Sequence, residues 1–456
     1  MRKLNLRSVT LPDFGVPETA PPIPPEIYES RCQRAWQAAG CDWLVVYADR
    51  EHLANIAFLS GFEPRFEEAL LLLGPAGQRI VITGNEGLSY VPRAGLAGID
   101  ILLSQTMSLS GQDRTRQSDL VAVLRQAGMA PSQSAGLVGW KCLQEEEWHG
   151  ALPSFHASAL VVDALRAVLE DPRALSDATP VLMHPETGLR AVVDVHQIAA
   201  QEWGAARASA AVWRIVCGTR LGESEMAAAA RMGYAGEVMN THMMFSSSRP
   251  GEGPVVGLAS PGGRRLLEGD GVTTAVSYWG GLSARAGLLA TENERFTAIA
   301  KAYFQGLLTW YETADIGVSG GELFGRVNDA LALGGLSSAL NPGHLVGHDE
   351  WVSTPVRPGS TECIRSGMPF QVDVIPTPMT AGWALNCEDA VTFADADLRL
   401  ALSQAYPDVW MRIEGRRRFV QQELGVALRP SVLPLSNTPL CLPPCWLAAD
   451  KLLVCE

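Results

Sequence analysis

Two histidines stand four apart in Asn341-Pro-Gly-His-Leu-Val-Gly-His348. A neutral imidazole can activate water near pH 7, so His344 or His348 is a candidate general base. On a helix that spacing would put both rings on one face, but Pro342, Gly343 and Gly347 favour a loop or turn, and one ring is then expected to be structural. Carboxylates follow at Asp373 and in Asn386-Cys-Glu-Asp389. Carboxylates can pair with a planar cation in bidentate fashion. Arg285 lies among Gly280, Gly281, Ser283, Ala284, Ala286 and Gly287 in a strand-like segment. A charge there is rarely buried unpaired, so it is expected either to pair with a carboxylate, of substrate or protein, or to be exposed on an edge strand. Gly61-Phe-Glu-Pro-Arg-Phe-Glu-Glu68 is dense in charge and aromatics for a turn, and reads either as a contact surface or as a loop salt-bridged to itself. Ser246-Ser-Ser248 has no elbow motif around it, and no phosphate-binding GxxxxGK[ST] occurs.

The elements that must carry these residues fall into two groups. Residues 1–26 are Pro-rich and aperiodic and read as an extended arm. An amphipathic helix is predicted from Ile27 to about Ala39, stopped by Gly40. Strands are predicted over Asp42–Tyr47, Glu68–Leu73 and Gln78–Thr83, with a short helix over 51–58, so residues 27–170 read as an α/β domain. Residues 171–190, with Pro172, Pro180, Pro185 and Gly188, have linker composition. Residues 191–425 carry helices predicted over Val195–Cys217 (capped by Asp194), Ser224–Asn240, Glu292–Ala314 and Gly321–Leu331, and strands over Val272–Tyr278, Met368–Ile375 and Ala390–Phe393. Long helices alternating with such strands imply an α+β domain with helices on one face of a mainly antiparallel sheet. Residues 426–456 are Pro-rich again and are expected to run over the surface.

A net charge of -13 argues against nonspecific nucleic-acid binding and against docking on an anionic membrane. No apolar run approaches the ~18 residues of a membrane span, and the first 26 residues contain three basic residues but no apolar core of a secretory signal. Nine scattered cysteines then suggest reduced thiols and a cytoplasmic location, and Cys441-Leu-Pro-Pro-Cys445 lacks the second pair a zinc site needs.

Tyr47-Ala-Asp-Arg-Glu-His-Leu-Ala-Asn-Ile-Ala-Phe-Leu-Ser-Gly-Phe62, followed in order by Glu268-Gly-Asp270, Asn341–His348, Ser366-Gly-Met368 and Asn386–Asp389, resembles the creatinase/aminopeptidase P/prolidase family over residues 27–425. The resemblance implies an α/β N-terminal domain and a pita-bread catalytic domain with a curved sheet. Metal-dependent members hold two ions with two Asp, one His and two Glu. Here the His position matches His344, and the two Glu positions match Asp373, one methylene shorter, and Glu388. The two Asp positions fall on Ala275 and Ala284, and no acidic residue lies between Asp270 and Glu292 to replace them. A downstream His of the aminopeptidases falls on Trp351. The resemblance therefore implies a dismantled two-metal site with no cofactor. If any metal remains, it would sit at His344, Asp373 and Glu388, because one imidazole with two carboxylates suits Zn²⁺ or Fe²⁺ with an open position.

Creatinase shows how such a fold can hydrolyse a guanidino C–N bond without metal, using a His base. Its own base position falls near Leu258-Ala259, where no His stands, and the nearest upstream histidine, His242, is expected to end a helix. The function implied is a metal-independent hydrolase of a guanidino, amidine or amide-like C–N bond in a small nitrogenous compound. His344 or His348 would serve as base, Asp373 and Glu388 would hold a cationic group, and Arg285, Phe62, Arg65 and Trp351 would bind substrate. The alternatives are a single-metal Xaa-Pro-type peptidase and a non-catalytic binding protein. Phe62 and Arg65 match residues that reach the partner's site in creatinase, which implies a homodimer.

Overall fold

The computed structural model describes residues 3–116 and 119–456. It divides into two compact units: Ile23–Ala191, and the chain up to Pro22 together with Val192–Glu456. The first strand, β1 (Leu4–Ser8), belongs to the second unit.

In the Ile23–Ala191 unit, β2 (Trp43–Ala48), β3 (Ala69–Leu73), β4 (Arg79–Thr83), β5 (Asp100–Leu103), β6 (Ala135–Val138) and β7 (Leu175–Asp177) form a mixed sheet in the order β5-β4-β3-β2-β6-β7. The continuous apolar runs of β2 and β3 are buried along their whole length, as strands covered on both faces must be. The Pro25–Ala39 helix stops at Gly40, which takes the left-handed conformation (φ 63°) that a side chain would disfavour. Residues 171–190, read from their composition as a linker, are built into this unit. Pro172 and Pro180 sit in the first turns of the short helical pieces Pro172–Ala174 and Thr179–Met183, where a missing N–H costs nothing, and β7 between them pairs with β6.

In the second unit, β8 (Met244–Ser248), β9 (Gly271–Tyr278), β10 (Gly281–Leu288), β11 (Ser337–Ser338), β12 (His344–Leu345), β13 (Pro369–Val372), β14 (Pro376–Thr377), β15 (Asn386–Phe393), β16 (Val432–Pro434) and β17 (Lys451–Cys455) follow in sequence. The main sheet is curved and antiparallel, in the order β12-β13-β15-β10-β9-β8, with β16 also paired to β15. β11 pairs with β14, and β1 with β17. The α/β first domain and α+β second domain with a curved, mainly antiparallel sheet are as the sequence predicts.

The Val195–Gly218 helix is capped by Asp194, whose carboxylate accepts from Gln197 N. Gly204 lets it approach the β9–β10 turn: a Cβ there would lie 1.9 Å from Trp279 O. The helix predicted over Ser224–Asn240 ends far earlier. Glu225–Ala229 passes through the 3₁₀ turn Ala230–Met232 into Gly233, whose φ of 67° leaves the helical region. His242 therefore lies in a loop, exposed, with Nε2 2.9 Å from Leu258 O. The Pro-rich C-terminal segment does not run over the surface: residues 431–446 are buried, β16 extends the sheet, and Asn437 accepts two hydrogen bonds from Arg416. Its apolar residues, among them Leu433, Leu435, Leu440, Leu442 and Trp446, explain why.

Candidate metal centre on the curved sheet

Strand register sets four positions side by side on one face. Met244 pairs with Ala275, Ala275 with Ala284, and Ala284 with Glu388. Asp373 follows directly after β13, whose register sets Val372 opposite Asp389, so continuing it by one residue places Asp373 beside Glu388. The row across the sheet is thus Met244, Ala275, Ala284, Glu388, Asp373. Of the two positions expected to have lost carboxylates, Ala284 is the direct neighbour of Glu388 and Ala275 lies one strand further along the row, and Met244, Ala275, Leu282 and Ala284 form a small buried apolar cluster there.

At the other end of the row, His344, Asp373 and Glu388 converge. All three are buried, and one donor atom from each lies within 4.8 Å of the others. Gln371, paired with His344 across β12 and β13, donates from Nε2 to Glu388 Oε1 at 3.0 Å and to Leu282 O at 2.6 Å. Asp373 Oδ1 is buried without any hydrogen-bond partner. His344 Nδ1 lies 3.2 Å from Leu345 O. Its Nε2 is 3.1 Å from Glu350 Oε1, close enough for an ion pair but without the alignment of a hydrogen bond.

The electrostatics follow from burial. Taking Glu388 out of water pushes its carboxyl well above the ordinary range, and Asp373 and Glu350 push it further. Burial likewise carries Asp373 up to about 7, against the pull of His344, with Glu350 adding to the rise. Burial alone would lower His344, but the Glu350 carboxylate and then Asp373 outweigh it and leave the imidazole raised. If Nδ1 donates to Leu345 O, bare Nε2 faces a carboxylate, which is repulsive unless a proton or a cation sits between them.

The other residues expected at the site are dispersed. His348 is not in the cluster; its ring meets Trp279 edge-on at 4.7 Å. Trp351 stacks on His344, centroids 4.1 Å apart, and covers one face of the imidazole. Arg285 is on the opposite face of the sheet, because side chains alternate along a strand and Ala284 faces the cluster. It is fully buried, paired with Asp389 at 2.8 Å, and donates to the carbonyls of Cys441, Ala284, Glu388 and Thr438. It therefore pairs with a protein carboxylate and does not reach a substrate at the cluster. In the other unit, Phe62 is buried with its ring tilted against Tyr90, so it is not offered to a partner. Arg65 is exposed at a φ of 62° and donates to the Tyr90 hydroxyl. Sequence reasoning passed over Glu350 and Gln371. Glu350 belongs to the Asp349-Glu350 pair that directly follows the His344–His348 motif, whereas Gln371 had no signal before the β12–β13 register was known.

No protein-family model and no curated protein sequence matches the chain. Solved structures do. The prolidase from Thermococcus sibiricus aligns over 82% of this chain and 95% of its own, at 14% identity and a TM-score of 0.63. The dipeptidase PepE from Mycobacterium ulcerans aligns over 82% and 94%, at 18% identity and a TM-score of 0.59. The Xaa-Pro dipeptidase from Bacillus anthracis aligns over 81% and 95%, at 14% identity and a TM-score of 0.59. These likenesses span nearly the whole of each matched structure and show the fold: two domains, the second of pita-bread architecture.

Proposed function

We propose that the chain is a hydrolase that holds one divalent transition metal at His344, Asp373 and Glu388 and cleaves an amide bond in a short peptide or peptide-like substrate. The observation that carries this reading is the burial of one imidazole and two carboxylates, their donor atoms within 4.8 Å of one another, with Asp373 Oδ1 left without a partner. Burying two carboxylates side by side is costly unless they are protonated or share a cation, and this donor set suits Zn²⁺ or Fe²⁺. A metal bound there would polarise a substrate carbonyl and acidify a bound water. Gln371 fixes the orientation of Glu388, and Trp351 shields one face of His344 from water. Ala275 and Ala284 leave no donors for a second ion. The peptide preference follows the names of the matched proteins, which are dipeptidases, prolidases and X-Pro aminopeptidases.

A second reading, metal-independent C–N hydrolysis, is favoured by one observation. Glu350 lies 3.1 Å from His344 Nε2 and could hold a proton there, orienting the imidazole as a base. Metal content separates the two. Protein expressed in metal-supplemented medium and dialysed should retain about one equivalent of transition metal by plasma mass spectrometry, lost in Asp373→Ala. Less than roughly a tenth of an equivalent would transfer the case to the second reading. The homodimer, now resting on Arg65 alone, belongs to the same proposal, and a monomeric sedimentation coefficient would remove it.

A further inference from the structure

One row along the same face of the sheet from Ala275, Ala284 and Glu388 stand Thr273, Ala286 and Asn386, paired in that order across β9, β10 and β15. Two residues along a strand span about 7 Å, so this row begins within one side-chain length of the His344, Asp373 and Glu388 cluster. It forms the floor of a cavity of about 530 Å³. The walls are the 375–385 loop, with Ile375, Met379 and Trp383, and the 254–257 loop. Among the described residues the lining contains no acidic or basic side chain. Its polar groups, such as the Thr273 hydroxyl and the Asn386 amide, are neutral. Arg285, a cation on the neighbouring strand position, points to the other face and is already committed to Asp389. Val256, Leu258 and Leu340, next in sequence to lining residues, are more than half exposed.

We propose that this cavity is the specificity pocket of the site and receives an uncharged, chiefly apolar side chain or acyl group, flanked by an amide that Thr273 and Asn386 can hydrogen-bond. The inference rests on the proposed reading that chemistry occurs at His344, Asp373 and Glu388. A charged group entering the pocket would lose its hydration and find no counter-ion, whereas an aliphatic or aromatic group gains burial. Compounds that present a guanidinium, ammonium or carboxylate to this pocket are therefore excluded from its substrate class.

The test uses three probes of matched length on the full chain: N-acetyl-norleucinamide, N-acetyl-lysinamide and the α-amide of N-acetylglutamate, titrated by ligand-observed NMR. The neutral probe should bind at least roughly tenfold more tightly than either charged one. Met379→Glu, on the loop wall, should erase that preference, and Ala286→Leu, on the floor, should weaken the neutral probe. Circular dichroism would confirm that the loop variant is folded. Equal or tighter binding of a charged probe, or an unchanged preference in Met379→Glu, overturns the proposal. Metal content measured on the same preparation keeps the two readings apart. Neutral preference without metal supports the pocket while the single-metal reading fails. Metal near one equivalent without neutral preference overturns the pocket while that reading stands.

Discussion

Glu388 keeps its carboxylate in a row where its two neighbours towards β9 are methyl groups. That local fact reduces the charge available to hold cations, and it gives a direct experiment. Restoring acids with Ala275→Asp and Ala284→Asp together should raise bound metal from about one towards two equivalents by plasma mass spectrometry, since converging carboxylates are what a second ion needs. Without metal the same double variant should be less stable than the parent, because buried like charges repel. Gln371 acts through Glu388 rather than on a substrate. Gln371→Leu removes the hydrogen bond that orients the carboxylate and should weaken metal binding by about 10–100-fold in a competition titration, with the fold retained by circular dichroism. An unchanged affinity would mean that Glu388 is held by its strand alone. Of these residues, His344, Asp373 and Glu388 could be picked out in the sequence because motif order locates them. Arg285 pairs with a protein carboxylate, Asp389, on the rear face of the sheet rather than at the cluster, because a one-residue step along a strand reverses the face and no local pattern tells which face is which.

Among the elements, the Val195–Gly218 helix is joined to Pro407–Gln422 by a buried charge cluster. Glu202 accepts from Arg412 at 2.6 Å and from Arg416 at 2.5 Å, and both Glu202 and Arg416 are fully buried. Burial would raise the Glu202 carboxyl, but the Arg416 and Arg412 guanidiniums outweigh it and hold the carboxyl below its ordinary value of 4.5. The unfolded chain therefore binds the proton more readily. The stabilisation is present above pH 4.5 and is lost as pH falls through the lower folded value. Glu202→Gln leaves Arg416 buried without its counter-charge and should cost about 3–5 kcal/mol at pH 7 in urea denaturation. The gap between wild type and variant should narrow as pH falls below the ordinary carboxylate range, and a gap constant from pH 7 to pH 3 would show that packing, not charge, is responsible. The helix predicted over Ser224–Asn240 is the main element the sequence overextended. Its Ala-rich start has helical propensity, but Gly233 and Gly236 adopt positive φ and the chain turns away.

At the scale of the molecule, the two compact units differ in how the chain builds them. Ile23–Ala191 is one continuous segment with all six strands of its sheet and a buried core that runs from Trp43 to Leu175. Expressed alone, residues 23–191 should unfold cooperatively in urea, with a single transition by fluorescence and circular dichroism. A fragment without a transition would show that its stability is borrowed. The other unit is assembled from both chain ends, since β1 pairs with β17 and β16 completes an edge of β15. Among the described residues no helix is long and apolar enough to cross a membrane.

The sequence by itself determined the two-domain α/β and α+β architecture, the main helices and strands near their observed bounds, and the absence of any acidic residue between Asp270 and Glu292. Those features are local: hydrophobic period, caps such as Asp194, and motifs in order along the chain. The tertiary structure alone decided that Arg285 stabilises the rear of the sheet, that Glu350 and Gln371 stand at the cluster, and that the Pro-rich C-terminal segment is core. Each of these depends on which distant strands pair and in which register. The physical reason is that the pairing energy comes from contacts between residues far apart in sequence, such as His344 with Gln371 and Thr392 with Leu433, which no local pattern records.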